Sequence, residues 1–157
     1  MPERARSTPS ALSRRAFLAL APAAAALVSA RAWAGTGRVR ALGGDPSRLS
    51  PFQRDHLPLV RLPRSTHNGA KVPVTIEMTH PMTPDHHVTR VEVLNRRDPI
   101  VSKGAFTFTP ASGRVHVAYQ FRVSPGTSEV EVIAECSRHG RFSTSALLEV
   151  PRGEPDG

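Results

Sequence analysis

Val115-His116-Val117-Ala118-Tyr119-Gln120-Phe121-Arg122-Val123 places an apolar residue at every second position. Successive side chains of a strand face opposite sides, so Val115, Val117, Tyr119, Phe121 and Val123 share one face and His116 lies on the other. The same period runs upstream through Val72-Pro73-Val74-Thr75-Ile76-Glu77-Met78, and downstream from Glu129 to Glu135, where Val130, Val132 and Ala134 are in phase. Weaker patterns at 57–60, 87–94, 105–109 and 142–150 bring the expected total to about seven strands. Asn68-Gly69, Lys103-Gly104, Ser112-Gly113 and Pro125-Gly126 supply turn chemistry between them. Beyond residue 34 there is no repeat and no helical period of useful length. The expectation is an all-β chain, an immunoglobulin-like β-sandwich of about seven antiparallel strands.

The totals agree with this. A chain of 157 residues suffices for one domain and an N-terminal extra. Its 15 prolines and 11 glycines favour a loop-punctuated β protein over a bundle. Of the net charge of +8, half belongs to residues 1–34, which carry five Arg and one Glu. What is left on residues 35–157 attracts anions only mildly. No Lys/Arg run is interleaved with aromatics, so nucleic acid is not an expected partner.

Residues 1–34 read as an address. Ser13-Arg14-Arg15-Ala16-Phe17-Leu18 precedes an Ala-rich apolar run, and Ala32-Trp33-Ala34 offers small residues where a signal peptidase cuts. The run is shorter than the roughly 20 residues a bilayer requires. The paired arginines resemble a twin-arginine export signal, which implies the twin-arginine export machinery as a partner, a periplasmic location, and translocation of a folded, cofactor-loaded chain. The expected organisation is a signal at 1–34, an extended lead-in at 35–51, the domain at 52–150 and a loose tail at 151–157.

The chemistry gathers in three places. His80-Pro81-Met82-Thr83-Pro84-Asp85-His86-His87 sets two imidazoles six residues apart across a segment stiffened by two prolines. Cys136-Ser137-Arg138-His139-Gly140 ends a strand with a thiol and an imidazole three residues apart, and Gly140 eases the turn. His56 opens a strand-like stretch. Imidazoles with one thiolate suit iron, copper, zinc or nickel. Five such donors leave one position open on a six-coordinate ion, as a reactive site needs. Each residue has a plainer reading. Cys136 is in phase with Val130, Val132 and Ala134, the pattern of a buried small hydrophobe. His56 alone reads as a hydrogen-bonded boundary residue, His67 as part of a turn, and His116 as solvated. His87 points away from His86 in an extended segment.

Taken together, the three segments resemble the superoxide reductase family of neelaredoxin and the iron-site domain of desulfoferrodoxin. His80-Pro81-Met82-Thr83-Pro84-Asp85-His86-His87-Val88 is similar to that family's H-P-M-x-x-E/D-H-x-I/V segment, and Cys136-x-x-His139-Gly140 to its C-x-x-H-G segment. Asp55-His56-Leu57-Pro58 is similar to the end of its E-K-H-x-P motif. The resemblance spans roughly 52–150. It implies one iron ion (Fe2+/Fe3+) per chain, held by His56, His80, His86 and His139 with Cys136 as axial thiolate and the sixth position open. It also implies superoxide as substrate, an external electron donor, and subunits that associate into homo-oligomers. The family's Glu and Lys are matched by Arg54 and Asp55, which reverses the charge order at the mouth. Arg54 is therefore assigned to replace the missing cation in catalysis, with Lys71, Lys103 and Arg138 as other candidates. The family's separate four-cysteine domain has no counterpart, since the chain has one cysteine.

Two other readings compete. A copper electron carrier would use two His, one Cys and a weak axial Met, yet no Met follows His139 and Met82 would have to serve. A non-enzymatic exported carrier of the sulfur-oxidation type shares a small sandwich and an H-P-M segment. That family's segment lacks the following D-H-H and assigns no role to Cys136-x-x-His139.

Overall fold

Alternation becomes burial in the computed structural model, which describes residues 38–43 and 45–152. The chain divides into two units, Met1–Thr36 and Gly37–Gly157, and all described residues belong to the second. The signal expected at 1–34 and the end of the tail expected at 151–157 lie outside them.

The described residues form eight strands: β1 Val39–Ala41, β2 Leu59–Arg61, β3 Val72–Met78, β4 Val88–Asn95, β5 Ser102–Thr107, β6 Val115–Phe121, β7 Gly126–Cys136 and β8 Gly140–Val150. One sheet has the order β1-β8-β7-β4-β5 and the other β2-β3-β6. Every pairing is antiparallel except that of β1 with β8. The all-β sandwich expected from the sequence is therefore present, with seven strands near the expected places and β1 added from the lead-in. Val72, Val74, Ile76 and Met78 of β3 face Val91, Val93, Val130, Val132 and Leu148 across the core. Each such side chain taken out of water contributes about 1.5–3 kcal/mol.

Among the described residues one α-helix forms, α1 Pro51–Asp55, after a one-turn 3-10 segment. Ser50 caps it: Gln53 N–H donates to Ser50 Oγ at 3.3 Å, and Ser50 N–H donates to Gln53 Oε1 at 3.0 Å. This reciprocal box holds a helix too short to persist by propensity alone.

One expected turn is displaced. Lys103-Gly104 lies inside β5, and the chain reverses earlier, where Asn95 N–H donates to Val101 O at 2.9 Å. The reason is tertiary. Lys103 Nζ is buried 2.7 Å from Asp98 Oδ2. A Cβ on Gly104 would stand 2.8 Å from the Tyr119 hydroxyl oxygen, so the strand needs glycine to pass beneath that ring.

Candidate metal centre

The topology brings three chain reversals to one end of the sandwich. The β3–β4 connection crosses between sheets there and carries His80 and His86, the β7–β8 turn carries Cys136 and His139, and His56 caps the C-terminus of α1. The β7–β8 turn explains the spacing of its motif. Cys136 is paired with Gly140, three residues lie between them, and Gly140 has φ +85. A three-residue hairpin closes with a left-handed residue that glycine adopts without strain. The β3–β4 crossing is pinned similarly: Thr83 and His86 exchange backbone hydrogen bonds of 3.0 and 3.2 Å around Pro84-Asp85. The two turns are then clamped together. Ser137 N–H donates to His87 O at 2.9 Å, and His87 N–H donates to Ser137 Oγ at 3.1 Å.

Four imidazoles form a closed ring. Neighbouring centroids are 4.8 Å apart for His56–His80, 4.6 Å for His80–His86, 4.7 Å for His86–His139 and 5.0 Å for His139–His56. Each of these pairs meets edge to face, whereas His56 and His86, across the ring, are 5.8 Å apart and inclined by only 33°. One ligand atom from each of His56, His80, His86 and Cys136 lies within 4.8 Å of all the others. His139 joins through Nδ1, 3.0 Å from His56 Nε2 and 3.7 Å from Cys136 Sγ. All five expected ligands thus sit at one locus. His67 is exposed, and His116 faces outward against Glu77 Oε1 at 3.1 Å.

Hydrogen bonds determine which nitrogens are free. A backbone carbonyl only accepts, so His56 Nδ1 donates to Phe52 O at 2.7 Å and His80 Nδ1 donates to Pro81 O at 2.6 Å. In the neutral rings, Nε2 of both therefore carries the lone pair and faces the cluster. His80 Nε2 and His86 Nε2 are buried with no hydrogen-bond partner. Lone pairs on His56 Nε2 and His139 Nδ1 at 3.0 Å repel unless a proton or cation lies between them.

Burial, aided by the neighbouring imidazoles, lowers His80 to about 4, although its bond to Pro81 opposes the shift. Burial likewise lowers His56, against the pull of its bond to Phe52, with His139 adding to the shift. His86 is lowered by burial, then by His139, His56 and Arg138, while Asp55 opposes. Neutral imidazoles with converging lone pairs are what a metal requires. Opposed N and S ligands of one transition-metal ion stand about 4.4 Å apart, close to the spread of this cluster. The residues fit a single ion with nitrogen and sulfur donors.

The expected charges divide differently. Arg138 and Asp55 act on the histidines. Arg54 is exposed on α1 and is not among the charges that shift them. Lys103 is committed to Asp98 beyond the far end of β4, roughly 20 Å from the centre at 3.3 Å per residue. Lys71 likewise precedes β3 at the end opposite His80. Met82 packs on the main core, so it gives no support to a copper site. Sequence reasoning missed Phe52, whose ring lies 4.3 Å from that of His56 and 5.0 Å from that of His139. Its signal was the Ser50-Pro51-Phe52-Gln53 capping pattern, which marks a helix start.

Comparison with known proteins separates fold from family. Solved superoxide reductases of the neelaredoxin type share the fold. A variant of the enzyme from Ignicoccus hospitalis superposes with a TM-score of 0.61 at 16% identity, covering 71% of this chain and 94% of the other. A variant from Archaeoglobus fulgidus in the reduced form gives 0.52 at 16% identity, with coverages of 66% and 96%. Identity this low establishes a common architecture. No curated protein matches the chain in sequence. The resemblance read from the motifs thus holds for the fold, while the family model that matches is that of the sulfur-oxidation proteins, weighed above as an alternative. That match runs from residue 51 to residue 153 and takes in all five clustered side chains, and by it the chain belongs to the family of sulfur oxidation protein SoxY.

Proposed function

We propose that the chain holds one iron ion at His56, His80, His86, His139 and Cys136 and reduces superoxide to hydrogen peroxide with an electron from an external donor. The observation that carries this reading is the ring of four imidazoles closed around the chain's one thiol, with two buried ring nitrogens lacking partners. When bound, the metal supplies a one-electron couple and a position for a small anion. The chain's own groups do the rest. Phe52 and Pro81 hold the Nδ1 protons of His56 and His80 and aim their Nε2 atoms inward. Arg138 N–H donates to Cys136 Sγ at 3.5 Å, a contact that fixes the sulfur beside the imidazoles. The Arg138 side chain brings positive charge to the mouth, where Asp55 partly offsets it. Superoxide, one electron and two protons give hydrogen peroxide, so each turnover consumes an electron that the substrate does not supply. Export through the twin-arginine machinery to the periplasm, with cleavage before Gly35, belongs to the same proposal and rests on Ser13–Leu18 and Ala32–Ala34.

Family membership favours a second reading, a carrier in sulfur oxidation that works without metal. A carrier thiol has to reach its partners. Cys136 is 5% exposed and packs with Leu42, Leu57 and Phe142, which speaks for the metal site. Elemental analysis of residues 35–157 from iron-replete cells, beside Cys136→Ser, separates the readings. One iron per chain, with a ferric–thiolate absorption that the variant loses, supports the reductase. Copper would indicate an electron carrier. A metal-free chain bearing sulfur on Cys136 would establish the carrier reading instead.

A further inference from the structure

Phe52 is 40% exposed, although its ring lies against His56, His139 and Phe142. His139 itself is exposed. Beside it, Arg38 and Arg40 of the β1 segment line an open cleft of about 560 Å3 whose wall is His139-Gly140. The parallel register sets Arg40 opposite Phe142 and Val39 opposite Arg141, which carries Arg38 toward the β7–β8 turn. Two residues apart, the arginines project to one side of the strand. Neither makes an ion pair among the described residues. An exposed aromatic directly above ligand rings, bordered by unpaired arginines, has the make-up of an interface centre with a charged rim.

We propose that Phe52, His139, Arg38 and Arg40 form the docking site for an acidic one-electron carrier protein, which reduces the centre through the exposed edge of His139. The proposal rests on reading the cluster as a redox metal site, because that reading requires an outside electron each turnover. One electron leaves the carrier, which is oxidised by one unit, and converts the ferric centre to ferrous; no bond or proton is exchanged. The Phe52 ring excludes water from the contact, and the arginines steer the carrier's carboxylates.

The test uses reduced cytochrome b5, an acidic haem protein, as the probe. Binding to the metal-free chain is followed by NMR at low salt, and oxidation of the probe by the ferric chain is followed by stopped flow. Both should respond to the double substitution Arg38→Glu, Arg40→Glu. The expected result is NMR shifts confined to Phe52, His139 and β1, with at least about tenfold slower oxidation in the double variant and a lost salt dependence. Reduction by neutral hydroquinone should stay unchanged, and Phe52→Ala should weaken binding without moving the circular dichroism spectrum. Unaltered probe binding and oxidation in the charge-reversed chain, or shifts centred elsewhere, overturn the proposal. Should the chain fail to load iron, the metal reading falls on that count, and the NMR arm still decides the docking surface.

Discussion

Acid should weaken the metal-free fold through His80, beginning near pH 6.5. His80 is 8% exposed and lies between the rings of His56 and His86. Burial lowers its pKa from 6.5 to about 4 in the folded chain. The sign follows from linkage: the unfolded chain takes up a proton near pH 6.5 that the folded chain refuses until about pH 4. Stability is therefore level above neutrality, falls between these two values, and levels again below them. At about 1.4 kcal/mol per pH unit, the loss from this one side chain is about 3 kcal/mol. That is a large part of the about 5–15 kcal/mol that a domain usually has. His56 and His86, also lowered, act in the same direction. Urea unfolding of the chelator-treated protein at half-unit steps from pH 7.5 to 4, with His80→Gln in parallel, measures the effect. The variant should show a shallower decline by about the stated amount. If both proteins lose stability in parallel across that window, His80 is not held neutral by burial and the argument fails.

Three further outcomes are expected. Lys103→Met leaves Asp98 charged and buried with Ser124 but no cation beside it, and should cost about 3–5 kcal/mol in urea unfolding while leaving metal content unchanged. Burial raises Asp98, but Lys103 and Ser124 outweigh it and hold the carboxyl below its usual range, so the pair's contribution is present above the ordinary carboxylate pKa and is lost only in stronger acid. Gly104→Ala forces a methyl group to 2.8 Å from the Tyr119 hydroxyl oxygen and should lower stability by about 1–3 kcal/mol, read as a shift in thermal midpoint. Ser137→Ala removes the acceptor for His87 N–H and loosens the clamp between the two ligand-bearing turns; iron affinity should drop about tenfold in chelator competition, with Ser137→Thr restoring it.

The strands with strict alternation were legible because their information is local. Two-residue periodicity in Val72–Met78 and Val115–Phe121 already states which face is buried, and the structure buries it. The β7–β8 turn was legible for the same reason, since Cys136-x-x-His139-Gly140 is a hairpin whose geometry is contained in five residues, whereas the fold-back of Thr83-Pro84-Asp85-His86 emerges only in the structure. Elements whose stability comes from distant partners were not legible. β1 is a strand only because it pairs with β8, about a hundred residues later, and α1 persists by its cap and its packing. Lys103-Gly104 carries the composition of a turn, and only Asp98 and Tyr119, contributed from elsewhere, make it a strand.

The candidate site divides along the same line. Sequence supplied the candidate donors, since imidazoles and a thiol at turn spacing are the groups a transition metal takes. Tertiary structure decided that five side chains on three segments share one locus, which nitrogens carry the lone pairs, and that Arg138 and Asp55 are the charges acting on the ring while Arg54 is not. The physical reason is that ligand identity is a property of single residues, whereas convergence, tautomer and field are properties of how separate segments pack.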